Sequence, residues 1–213
     1  MMYKNFIFGG ILIHHGVKGQ KWGVRNGPPY PVSSSRKDIM KKIPKDVVFI
    51  SGSSKTQDKT SPYYRKSLSK GLKNDINKEI KKNSTIIVGD APGIDRQVQD
   101  YLKKKNYKNV EVYSPGKKAR YIADNKWKNV KVDAPEYEEM SPEWLRQKDI
   151  AMTKRATKGI AVILPNGGAG ATRNNIDRLI DSYKDVKIYQ ISDDKLKDGE
   201  IFIEDYLKER RTK

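Results

Sequence analysis

Apolar residues fall into short runs from residue 46 onward: Val47-Val48-Phe49-Ile50, Ile86-Ile87-Val88 behind Thr85, and Gly159 to Leu164. Runs of this length without polar alternation predict strands buried on both faces, as in a parallel sheet. Asn109 to Tyr113 and Val186 to Ile191 predict two more strands, and Val130-Lys131-Val132 a short one. Between them the apolar spacing changes to three and four: Leu68, Leu72, Ile76 and Ile80; Ile94, Val98, Tyr101 and Leu102; Leu145, Ile150 and Met152; Ile176, Leu179, Ile180 and Tyr183. These are helices. The first is expected to start at Ser61-Pro62, and the third at the Ser141-Pro142 cap, running to Thr157. Ile201, Phe202, Tyr206 and Leu207 predict a C-terminal helix or short strand on the sheet edge. Strand and helix alternation predicts an α/β fold, an open and mostly parallel sheet with helices on both faces, over residues 46–213. Residues 117–140 carry little periodicity; Trp127 and Tyr137 are expected to pack.

Residues 1–45 read differently, as an extended basic tag and linker. Phe6 to Ile13 is apolar but broken by Gly9 and Gly10, and no small-x-small site follows it, so a secretory signal is not expected. His14 to Pro31 is dense in Gly, Pro and single aromatics, which favours an extended recognition segment. His14 and His15 have no Cys, Asp or Glu nearby to complete a metal set, and no metal site or cofactor is expected.

Charge and composition narrow the function classes. The 213 residues carry 44 Lys and Arg against 26 Asp and Glu, a net charge of +18. Residues 1–45 hold nine of the basic side chains and only Asp38 as acid. This balance favours polyanionic surroundings without dictating a fold. Runs such as Lys103-Lys104-Lys105 read as solvated helix faces, so nucleic acid ranks behind a small molecule as partner. Zero cysteines exclude a disulfide framework and a thiol nucleophile. No stretch approaches the ~18 apolar residues of a membrane span.

Three strand ends run into glycine loops, where open α/β sheets bind ligands. Gly52, Ser53 and Ser54 follow the first strand. Gly89, Asp90, Pro92, Gly93 and Asp95 follow the second, with Pro92 placed for the first helical turn. Asn166, Gly167, Gly168, Gly170, Thr172, Arg173 and Asn174 follow the Gly159 to Leu164 strand. Glycines let backbone approach a ligand, and free amides at a helix start favour phosphate. A plain glycine-rich connection, a helix cap at Ser53 or Ser54, and a dipole-stabilising charge at Asp95 are the structural alternatives.

Val47–Gly52, Gly89-Asp90-Ala91-Pro92-Gly93-Ile94-Asp95, Lys148-Asp149-Ile150-Ala151-Met152 and Gly168–Ile176 resemble, in order and spacing, the SLOG superfamily, most closely its YspA-like branch. Those proteins typically read GGAxGAD and GTRNTI at the two loops; Asp90 replaces the second glycine here. The resemblance spans about residues 46–192 and implies a Rossmann-like fold that handles nucleotide-derived ligands, often as a homodimer. Relatives include the Lonely Guy phosphoribohydrolases and the DNA-processing protein A family. The resemblance places the Lonely Guy glutamate at Asn174 or Asn175 and its helix arginine at Lys148, with Arg146 nearby. An amide is no general acid or base near neutral pH, so binding is better supported than that hydrolysis. Separately, HGxKGQKWGxRxGPPYP over His14–Pro31 resembles a peptide of phage and prophage head-associated proteins. It implies a capsid contact through residues 14–31 and a location in the bacterial cytoplasm or the virion.

The reading that results is a phage- or prophage-encoded protein binding a nucleotide-derived ligand, such as an ADP-ribose-like or cyclic nucleotide signal. In it Lys148 and Arg173 neutralise the ligand's charge and Asp95 contacts ribose. Two alternatives stand beside it: an enzyme cleaving an N-glycosidic or phosphoester bond, with Asp95 or Asp90 as the carboxylate, and a DNA-binding protein.

Overall fold

The computed structural model describes residues 7–8, 11–12, 45–165, 170–191 and 198–211. The chain divides between Pro44 and Lys45 into two units. In the first, β1 (Ile7–Phe8) and β2 (Ile11–Leu12) pair antiparallel, Ile7 opposite Leu12 and Phe8 opposite Ile11. The peptide from His14 to Pro31 lies outside the described residues.

The second unit is built on seven strands: β3 (Val47–Gly52), β4 (Thr85–Gly89), β5 (Val110–Pro115), β6 (Lys128–Val132), β7 (Lys158–Ile163), β8 (Asp185–Ile191) and β9 (Asp198–Ile201). They lie in the order β6-β5-β4-β3-β7-β8-β9. Neighbours are parallel throughout except β9, which runs antiparallel to β8. The helices are α1 (Lys70–Lys81), α2 (Ile94–Lys104), α3 (Pro142–Arg155), α4 (Ala171–Asp181) and α5 (Ile203–Arg211).

The two-residue period of a strand sorts the core into two layers. Val48, Ile50, Ile86, Val88, Val110 and Val112 pack with Leu72 and Ile76 of α1 and with Val98 and Leu102 of α2. Val47, Phe49, Ile87, Ala161 and Ile163 pack with Met152 of α3, Ile176 and Leu179 of α4, and Tyr206 of α5. The fold is therefore a Rossmann-like α/β sheet covered on both faces. Among the described residues no helix is long and apolar enough to cross a membrane.

Several boundaries differ from the expectations above. The first helix starts at Lys70 rather than at Ser61-Pro62. Ser69 caps it, accepting from the Leu72 amide at 3.3 Å, while Ser61 accepts from Tyr64 in a turn and Arg65 donates to the Thr56 carbonyl. Pro92 stays outside its helix, because Gly93 is the residue that caps α2. α3 begins at Ser141 as its cap predicts, and ends at Arg155 rather than Thr157. Thr157 is drawn into the sheet, where its hydroxyl accepts from the Val47 amide at 2.9 Å. The C-terminal segment forms both an edge strand and a helix.

Strand order reverses at β3, whose neighbours β4 and β7 are followed by helices on opposite faces. Connections leaving such a point diverge, and a crevice opens beyond the strand ends. α3 forms one wall of it, and its start rests on Ser141, whose hydroxyl accepts from the Trp144 amide. Ser141→Ala should lower stability by about 1 kcal/mol, read from urea midpoints, whereas Ser141→Asp should retain most of it.

Candidate functional site

A cavity of about 600 Å³ lies over the carboxyl ends of β3 and β7. Gly52, Ser53, Ser54 and Lys55 line it from the first loop, Ala91, Pro92 and Asp95 from the second, and Gly170 to Arg173 from the start of α4. Lys148 and Asp149 of α3, Arg120 and Asn175 complete the charged and polar wall. Three loops distant in sequence thus share one space, of a size typical of small-ligand sites. Asn166, Gly167 and Gly168 lie outside the described residues.

α4 enters the cavity without a side-chain cap: Gly170 is its N-cap, and the Asn174 amide makes the bond to the Gly170 carbonyl at 3.0 Å. Ala171, Thr172 and Arg173, whose amides open the helix at the positive end of its dipole, line the cavity.

The loop after β3 is rigidly tied. Thr56 donates its hydroxyl to the Ser53 carbonyl at 3.0 Å, and the Ile94 amide reaches the same oxygen at 3.3 Å. Gly93 makes this contact possible. Its φ is +89°, and a Cβ there would sit 2.3 Å from the Ser53 oxygen. Its amide donates to Gln57 Oε1 at 2.9 Å, so Gly93 is a locking residue between two loops, not the anion donor expected of it. Gly52 and Gly89 act through the space they leave. A Cβ at Gly52 would lie 2.5 Å from Ile94 Cγ1, and one at Gly89 would lie 2.3 Å from Asp95 Oδ2 and 2.9 Å from Lys148 Nζ.

A charged cluster occupies the floor. Lys148 is 5% exposed and donates to Asp149 Oδ1 at 2.7 Å. Asp90 is fully buried, and Arg120 grips it three times: Nε to Oδ2 at 3.1 Å, Nη2 to Oδ1 at 2.6 Å, and the backbone amide to Oδ2 at 3.0 Å. Asp90 was expected at the ligand; its oxygens are occupied, and it presents Arg120 to the cavity instead. Arg173 does line the cavity, but its guanidinium also pairs with Glu209 at 3.3 Å and lies over the Tyr206 ring. Its charge is therefore shared with α5 rather than held in reserve for a ligand. Asn174 does not line the cavity, whereas Asn175 does; one residue of helix turns a side chain by about 100°. Asn175 is 2% exposed and donates to Ser51 Oγ at 3.1 Å.

Burial pushes the Asp95 carboxyl up to about 7; Lys148 opposes the rise, and Asp149 and Asp90 add to it. For Lys148, burial disfavours the charge, but Asp149 and Asp95 outweigh it and its pKa lies above the ordinary value. The cavity floor thus holds a permanent ammonium beside a carboxyl that titrates near neutrality, a combination characteristic of functional sites. Of the residues that line the cavity, Arg120 had no sequence signal. It sits in the aperiodic stretch 117–140, and only its contact with Asp90 brings it to the rim. Among the described residues no group of three or more His, Asp or Glu side chains is placed to hold a metal. No protein-family model matches this chain, and no curated protein sequence matches it either.

Gly93→Ala should cost about 2 kcal/mol or more, since both φ and the Ser53 backbone exclude a Cβ; urea denaturation measures it. Asp95 gives a pH signature. With a folded pKa near 7 against an ordinary 3.8, the folded state holds an extra proton between those values. Stability should fall as pH rises through that window and level off above it. The melting temperature of Asp95→Asn relative to wild type should therefore climb from pH 4 to 7 and then stay constant.

Proposed function

We propose that this chain is a SLOG-type, YspA-like protein of phage or prophage origin that binds a nucleotide-derived, phosphate-bearing ligand in the cavity at the strand reversal. The observation that carries this reading is the start of α4, with a glycine as its N-cap, at a cavity whose floor holds the buried residues Asp95 and Lys148. Phosphate oxygens would lie on the amides of Ala171 to Arg173, with the ammonium of Lys148 contributing long-range attraction. Asp95, accepting hydrogen bonds when ionised and donating one when protonated, suits ribose hydroxyls at either pH. The positions that the resemblance assigns to a catalytic glutamate hold amides, which favours capture over hydrolysis.

Thr172→Glu tests the reading without dismantling the fold. A carboxylate on the first turn of α4 stabilises the helix by a few tenths of a kcal/mol, roughly, and occupies the anion position itself. Calorimetry with AMP, cyclic AMP and ADP-ribose should show binding to wild type and at least a tenfold loss in the variant, with an unchanged or raised melting temperature. No binding of any of the three at millimolar ligand would remove the proposal.

The pKa of Asp95 favours one second reading, general acid catalysis of N-glycosidic cleavage. Chromatography of a nucleotide incubated with wild type and with Asp95→Asn separates the two; intact nucleotide after long incubation rejects turnover. The N-terminal peptide would act as a capsid contact, and loss of copurification with capsids after deletion of residues 1–31 is the expected result.

A further inference from the structure

A second cavity, of about 440 Å³, opens beyond the ends of β5 and β6. Its lining differs in character from the first: Tyr137, Met140 and Trp144 supply apolar and aromatic surface, and Lys117, Lys118 and Arg120 supply positive charge. Arg120 lines both cavities. Its guanidinium, pinned by Asp90, stands where the two spaces adjoin.

Local backbone packs directly against the aromatic wall. Gly116 has φ +69°, and a Cβ there would lie 2.7 Å from Trp144 Cζ2, so the turn after β5 passes directly against the indole. Met140 also has φ +69°, a conformation that a residue with a long side chain rarely adopts, immediately before the Ser141 cap. Met140 is 60% exposed and Tyr137 37%, two of the few large apolar side chains presented to solvent among the described residues. Asp133 and Glu139 lie in the same lining and, when ionised, only accept hydrogen bonds.

Distance decides how the cavities relate. From β7, which precedes α4, to β5 is three strand steps, β7 to β3 to β4 to β5. At the usual strand spacing this is about 14 Å. A nucleoside monophosphate with its phosphate on α4 does not reach the second cavity. A second phosphate lengthens that reach, and a sugar carried beyond it lies within the first cavity.

Resting on the reading of the first cavity, we infer that the ligand is two-ended: its phosphosugar end occupies the cavity at α4, and an amino-bearing nucleobase stacks in the second cavity against Tyr137. Arg120 sits between the two ends, beside the phosphate nearer the base, the other phosphate lying on the α4 amides, while Asp133 and Glu139 accept from the exocyclic amine.

Calorimetry on the full chain with ADP-ribose and ribose 5-phosphate tests this. Wild type should bind ADP-ribose at least tenfold more tightly than ribose 5-phosphate. Tyr137→Ala should weaken ADP-ribose about tenfold, the size expected for one base stacked on one ring, and leave ribose 5-phosphate unchanged. Tyr137→Phe should restore it. Tyr137 is exposed, so folding is not at stake. If Tyr137→Ala binds ADP-ribose as wild type does, or loses both probes equally, the second cavity is not the base site, although the first keeps its function. If wild type binds neither probe, the reading of the first cavity fails and this inference fails with it.

Discussion

Six parallel strands must release their loops at one edge of the sheet, and that constraint organises this molecule. Because β3 lies between β4 and β7, the chain leaves its centre toward opposite faces, and the space between is left unfilled by either helix layer. Loops separated by about a hundred residues are thereby brought to one rim. The two hydrophobic layers, which owe nothing to a ligand, hold the rim rigid. Gly93 then closes the gap between the first two loops by letting α2 start against the Ser53 carbonyl.

The contrast between two buried aspartates shows where the fold tolerates unfavourable electrostatics. Asp75 on α1 faces β8: burial works against its charge, but hydrogen bonds from Lys187, Lys78 and Tyr189 outweigh this and hold it down at about 2. Asp95, at the cavity, goes the other way, to about 7. The difference is one of burial first and of partners second. Asp75 has donors on three sides, whereas the ammonium nearest Asp95 is already bonded to Asp149, and Asp90 adds a second like charge. A structural site would be expected to resolve this, as the Lys158 pairs with Asp46 and Glu79 do at the other end of the strands. Here the imbalance is left at the wall of a cavity, where folds most often depart from local consistency.

Much of this was legible in the chain itself. Continuous apolar runs at Val47–Ile50 and Ile86–Val88 report burial on both faces, and the later spacing of Ile176, Leu179 and Ile180 reports a helix, so the α/β architecture follows from periodicity. Loop glycines marked the right edge of the sheet. Their roles were less legible, because a glycine signals that a side chain is excluded without saying what excludes it. At Gly93 the excluding atom is the Ser53 carbonyl, at Gly52 it is Ile94, and neither points at a ligand. Arg120 was invisible for a related reason: its position is set by a long-range bond to Asp90, and long-range pairing leaves no trace in local spacing. The start of α1 was misplaced because Ser61-Pro62 and Ser69 both carry cap chemistry, and only tertiary bonds of the 56–65 loop choose between them.

The most direct test is a crystal structure of the full chain soaked with ADP-ribose. The account predicts phosphate oxygens within hydrogen-bonding distance of the backbone amides of Ala171 to Arg173, in the cavity that Asp95 and Lys148 line. Phosphates bound at another surface, with that cavity holding only water, would contradict it.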